Sequence, residues 1–209
     1  ASLMEGIDAI VRNEFILALM ILAAVPTMLV MPYANLLPVF ARDELGIGSS
    51  GLGLLMAVNG VGAVLGSLAV GMSQRVTARP SVMLWMAALF AGSVIAFALS
   101  PWVILSGALV FIAGIAQAFY MALNNTQIQL NVEDSVRGRV LSVYMLTWGL
   151  LPFGVLPIGA LADAFGAPVA VAGASALALV GVLVTALKFP SLRAAAPAVE
   201  PEVGVTVQR

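Results

Sequence analysis

The chain has 209 residues, of which 62% are hydrophobic and 9% charged, with a formal net charge of −1 and neither cysteine nor histidine. An ordinary soluble domain is about 45–50% apolar and about 25% charged, so a water-soluble fold cannot hide this much apolar surface. The missing basic patch argues against a nucleic-acid partner. The missing Cys and His exclude disulfides, thiolate metal sites, a catalytic thiol and an imidazole proton relay, so no metal or cofactor is expected.

Taken in chain order, residues 1–14 come first. Glu5, Asp8, Arg12 and Glu14 interleave with apolar residues there and predict an amphipathic linker approaching the membrane from the cytoplasmic side. Six apolar runs follow: Phe15–Phe40, Gly51–Ser73, Ser81–Leu99, Trp102–Gln127, Val140–Ala162 and Val169–Leu187. At about 1.5 Å of rise per residue, about 20 residues cross a hydrocarbon core of about 30 Å. No run carries an Asp, Glu, Lys or Arg in its middle. A backbone in lipid must satisfy its own hydrogen bonds, and runs without strict alternation exclude a barrel. The fold class predicted is therefore all-α and integral to the membrane, a six-helix bundle over residues 15–187. Residues 188–209, rich in Ala, Pro, Val and Glu beyond Arg193, predict a disordered cytoplasmic tail.

Within the first run, Pro26, Pro32 and Pro38 each remove an intrahelical hydrogen bond and predict a kinked or partly unwound helix, with Tyr33 and Asn35 among them. In the second, Gly62 and Gly66 form a small-xxx-small step for close helix packing, and Asn59 shares their face. The fifth holds Pro152 and Pro157, with Tyr144, Thr147 and Trp148 ahead of them. An odd number of spans per repeat inverts the second repeat, so six spans divide into two inverted three-helix repeats. Gly66 and Gly71 in the second run match Gly154 and Gly159 in the fifth at the same separation. Gly62, Gly66, Gly154 and Gly159 are expected at helix contacts.

The fourth run carries Gln117, Tyr120, Asn124 and Gln127. At about 100° per residue these four fall within about 80° of the circumference, a polar stripe on an apolar helix. Facing lipid, each amide would leave donors and acceptors unpaired, so the stripe must face protein or water. Hydrogen bonding between helices satisfies that, and so does the wall of a water-filled substrate cavity. Asn125 and Gln129 extend polarity around the inner end and favour the cavity. Asn59, Tyr33, Asn35 and Trp148 are the further cavity candidates.

If the N-terminus is cytoplasmic, the inner segments hold Arg12, Arg75, Arg79, Arg137, Arg139, Lys188, Arg193 and Arg209, against Arg42 alone outside. The positive-inside rule then places both termini in the cytoplasm. The inner segment Asn131–Val140 contains Glu133, Asp134, Arg137, Gly138 and Arg139. Asp134 or Ser135 is expected to cap the following helix. As a set with Arg75, these charges are candidates for a cytoplasmic gate; singly, each reads as a solvated loop charge. No carboxylate lies inside a span, and no paired carboxylates or Ser–His pair supports an enzyme.

Asp134-Ser-Val-Arg-Gly-Arg-Val-Leu-Ser142 resembles the signature that follows the tenth helix in major facilitator superfamily exporters. Leu37–Gly46 followed by Ser50–Met56 is similar to the passage from seventh to eighth helix in that family, and Gly159–Gly166 to the end of its eleventh. The branch most resembled contains the enterobactin exporter and the bacterial macrolide and multidrug efflux proteins. The resemblance covers about Glu5 to Leu187. It implies helices seven to twelve of a twelve-helix transporter, partnered by an N-terminal six-helix half, in a bacterial inner membrane. It also implies that the first and fourth runs line a central cavity for a small molecule, and that export is coupled to protons. Gln74-Arg75 stands where the family often has Asp-Arg, which weakens a charge relay there. The alternatives are a six-helix transporter working as a homodimer, or a membrane scaffold that transports nothing.

Overall fold

The structure is a computed structural model and describes residues 3–72 and 79–193. Helix α1 (Leu3–Arg12) precedes six segments long and apolar enough to cross a membrane. The first span joins α2 (Glu14–Leu29), α3 (Tyr33–Val39) and a π-helical turn (Phe40–Glu44). The second is α4 (Gly48–Met72), the third α5 (Pro80–Ala98) and the fourth α6 (Val103–Asn131). The fifth runs from α7 (Asp134–Leu146) through a 3-10 turn (Thr147–Leu150) into α8 (Leu151–Phe165), and the sixth is α9 (Ala167–Lys188). Among the described residues there is no strand. Arg75, expected at the gate, and the tail from Ala194 lie outside the described residues.

Local chemistry sets these boundaries. The Asn13 side-chain oxygen accepts from the N–H groups of Phe15 and Ile16 at 3.1 and 3.2 Å, capping α2. The first span then breaks where the prolines predict. The N–H groups of Val30 and Met31 both donate to the Pro26 carbonyl at 2.9 Å, and helix resumes only at Tyr33. After Pro38 the winding loosens, and the Leu45 N–H donates five residues back to the Phe40 carbonyl at 2.9 Å. The fifth span tightens into its 3-10 turn just ahead of Pro152, whereas Pro157 is carried inside α8 without a break.

Three expectations about connections are corrected. Residues 41–50, expected as a loop, are helical to Glu44 and again from Gly48, and the turn between them uses positive φ at Gly46 and Gly48. The charged inner segment is mostly helical too: α6 runs to Asn131 and α7 starts at Asp134, with only Val132 and Glu133 out of helical conformation between them. Glu133, not Asp134 or Ser135, takes the N-cap position of α7 and makes no capping side-chain bond.

The second and third spans pack on the fourth, while the fifth and sixth pack on the first; the third and sixth pack on each other. Exchanging first with fourth, second with fifth and third with sixth preserves this plan, as inverted repeats require. The glycines follow it. A β-carbon on Gly66 would meet the Ile115 carbonyl oxygen of the fourth span, and one on Gly154 the Met28 carbonyl oxygen of the first. Their counterparts Gly71 and Gly159 face open space, so the helix contact expected of Gly159 is absent. Gly62 lies against the Phe111 carbonyl, and Gly114, unremarked in the sequence, lies against that of Asn59. At the inner end α1 lies across the start of α7, with Gly6 against the Arg139 backbone.

Candidate functional site

The fourth span sorts its polar residues onto two arcs. Tyr120, Asn124 and Gln127 are buried. The Asn124 side-chain amide donates to the Leu19 carbonyl of the first span at 3.0 Å. Tyr120 stacks on Phe90 of the third span at 6.0 Å between ring centroids, its hydroxyl beside Thr27 of the first. The Asn131 amide closes the inner end, donating to the Gln127 backbone carbonyl at 2.8 Å and to its side-chain oxygen at 3.2 Å. In this bundle Asn124 bonds to the first span and Tyr120 packs on the third, while Gln127 is bonded by Asn131 of its own helix.

Gln117 differs: it is only half-buried. With Met121 and Asn125, also half-buried, it forms an i, i+4, i+8 line along the helix. On the helical wheel the line starts about 20° from Asn124, which bonds to the first span, and ends about 20° past Gly114, which lies against the second. At its inner end Asn125 accepts a short hydrogen bond from the Gln129 amide.

Toward the outer end, Asn59 ties three spans together. Its amide donates to the Tyr33 hydroxyl at 2.9 Å and to the Val110 carbonyl at 3.1 Å. Tyr33 is buried, edge-on to Phe90 at 6.1 Å and to Phe97 at 6.3 Å, and Phe97 in turn meets Phe40 at 4.8 Å. This aromatic column from Phe40 to Tyr120 was missed in the sequence, where only the seven-residue spacing of Phe90 and Phe97 hinted at it. Asn35 is exposed, and so is Trp148 in the 3-10 turn of the fifth span. The expected set therefore does not converge on one point: Tyr33, Tyr120, Asn124 and Gln127 are interior, Asn59 and Gln117 partly so, Asn35 and Trp148 outside.

At the inner end Arg137 pairs with Asp134 one turn away and donates to the Val132 carbonyl at 3.2 Å, a local arrangement within the turn that starts α7. Asp134 is exposed and Arg137 half-buried, so solvent screens the pair from the Asp134 side. Beside it lies a polar cleft of about 310 Å³ reached by Asn13, Asn131 and Glu133. Gly138, expected to permit close approach, has open space where a β-carbon would sit.

This arrangement can bind through amides and aromatic faces, and it places the two helix breaks, Val30–Pro32 and Thr147–Leu150, in spans that pack on each other. The sequence profile of a family described as transmembrane secretion effector matches residues 10–208. Among curated proteins none matches the chain.

Proposed function

The chain belongs to the transmembrane secretion effector family, membrane transporters of the major facilitator type, and from that premise we propose that its six helices are one half of a secondary exporter of a small amphipathic molecule. The other half is a second six-helix bundle of the same transporter, and substrate passes between the two as they rock to open on alternate sides. In this reading both termini are cytoplasmic, the membrane is the bacterial inner membrane, and proton movement drives export. The substrate class is that of the siderophore and drug effluxers the sequence resembles.

The observation that carries the proposal is the half-buried line Gln117, Met121 and Asn125. Amides at such depth are costly against acyl chains, so a face that leaves them uncovered is a face meant for water, substrate or another bundle. A flexible thioether between two amides suits a substrate with both apolar and polar parts. The Tyr33–Asn59–Val110 link and the Asn124–Leu19 bond hold the helices that carry this line. In this reading Asn35 and Trp148, both exposed, also face the substrate path, and Asp134, Arg137 and Arg139 belong to a cytoplasmic gate.

Efflux of amphipathic dyes from cells expressing the full-length transporter tests this. Gln117→Leu and Asn125→Leu each lower efflux about tenfold, the loss expected for one to two unmade polar contacts, with unchanged amounts of protein in the membrane. Full efflux in the double variant removes the cavity assignment, and absence of substrate-dependent flux in proteoliposomes of the unaltered protein points instead to a scaffold.

A further inference from the structure

At the inner ends of the third and sixth spans the helices part around a cleft of about 150 Å³. Leu84, Ala88, Val182 and Leu183 form its apolar floor, while Ser81 and Arg193 stand at its inner end and Trp85 flanks it. Trp85 is 73% exposed, an amphipathic ring held outward near the end of a span, as at a membrane–water boundary.

The charge on the two helices that form this cleft is of one sign. Arg79 lies immediately before α5 and Lys188 ends α9, so both sit within about a turn of Ser81 and Ala186, which line the cleft. Residues 79–99 and 167–193 contain no Asp or Glu. Among the described residues the ion pairs are Asp8–Arg12, Arg42–Asp43 and Asp134–Arg137, so Arg79, Lys188 and Arg193 have no carboxylate partner. Pro80 opens α5, and Arg79 makes no capping side-chain bond, which leaves the positive end of the helix dipole at the same place.

We propose that this cleft binds an anionic phospholipid from the leaflet at that end of the bundle. One acyl chain lies on the Leu84–Val182 floor beside Trp85. The phosphate is held by Arg193 and Arg79, with the Ser81 hydroxyl donating to it and Lys188 adding charge. An apolar floor open to the side has no use for a soluble anion, and three cations without an acid favour an anionic over a zwitterionic headgroup. The site is independent of the export reading; it needs only that the spans lie in lipid.

The test uses the full-length protein in phosphatidylcholine vesicles doped with phosphatidylglycerol or phosphatidylcholine carrying brominated chains. The reading is the tryptophan quenching that is lost in Trp85→Phe. Brominated phosphatidylglycerol is expected to occupy the site at least about 25-fold more strongly than brominated phosphatidylcholine, the preference that two basic residues give at about fivefold each. Arg193→Gln cuts that preference about fivefold, and Arg79→Gln with Arg193→Gln leaves no more than the roughly fivefold that Lys188 gives, while quenching by brominated phosphatidylcholine persists and reports an intact fold. Parity in the unaltered protein overturns the proposal. So does a preference left unchanged by the double variant, and so does its abolition by millimolar inorganic phosphate, which would make the site one for a soluble anion.

Discussion

The crossing of the second span on the fourth and the crossing of the fifth on the first occupy equivalent places in the two repeats, yet they are built differently. In the first crossing both helices are continuous, and Gly62, Gly66 and Gly114 bring their backbones into contact. In the second, both helices are interrupted, at Val30–Pro32 and at Thr147–Leu150, and a single glycine, Gly154, sits against Met28 beside Pro32. A continuous helix keeps every i→i−4 bond and resists bending; a broken one has lost several and bends at little cost. One three-helix plan thus supplies a stiff clamp and a jointed pair, the second suited to changing shape during transport.

Valine substitutions at the two crossings probe this difference hardest. Gly66→Val drives side-chain atoms into the Ile115 carbonyl of a helix that cannot yield, and thermal unfolding in detergent should register a loss of about 3 kcal/mol or more. Gly154→Val meets Met28 and Pro32 at a joint, so the loss of stability is smaller while efflux stops. Equal losses at both sites would erase the distinction between clamp and joint. Gly71→Ala and Gly159→Ala, in open space, are expected to be neutral or to stabilise by about 0.5–1 kcal/mol through helix propensity.

A smaller effect separates the two arcs of the fourth span. Asn124→Leu removes the bond to Leu19, and Asn59→Leu removes those to Tyr33 and Val110. Each should lower unfolding stability by about 1 kcal/mol, the usual range for interhelical hydrogen bonds in lipid. Gln117→Leu lies off those arcs and should change stability by less than about 0.5 kcal/mol while reducing efflux. The smallest effect is expected for Asp134→Asn, whose exposed pairing with Arg137 is worth no more than about 0.5 kcal/mol in unfolding measured at physiological salt.

The spans were legible because each is an unbroken apolar run, and the joints because proline removes a donor wherever it stands. Gly66 and Gly154 showed their equivalence through spacing alone. What the sequence concealed was which neighbour covers which arc. Tyr120 and Asn124 do share a face, but that face meets the third and first spans, and nothing in a helix surrounded by equally apolar helices marks one arc as covered and the next as open. The 20° by which Gln117 departs from Asn124 on the wheel carries the difference between half-buried and buried. The bond from Asn59 to Tyr33, 26 residues away, and the packing of Gly6 on Arg139 depend on tertiary placement that no local pattern encodes.

The chain has no cysteine, so single cysteines placed along its fourth span can be read without background once any cysteines in the other half of the transporter are replaced. Reaction with a water-soluble maleimide in membranes tests the central division of this helix most directly. The account predicts labelling at positions 117, 121 and 125 and none at 120 and 124. Labelling of 124 as fast as 117, or a silent 117–121–125 line, would contradict it.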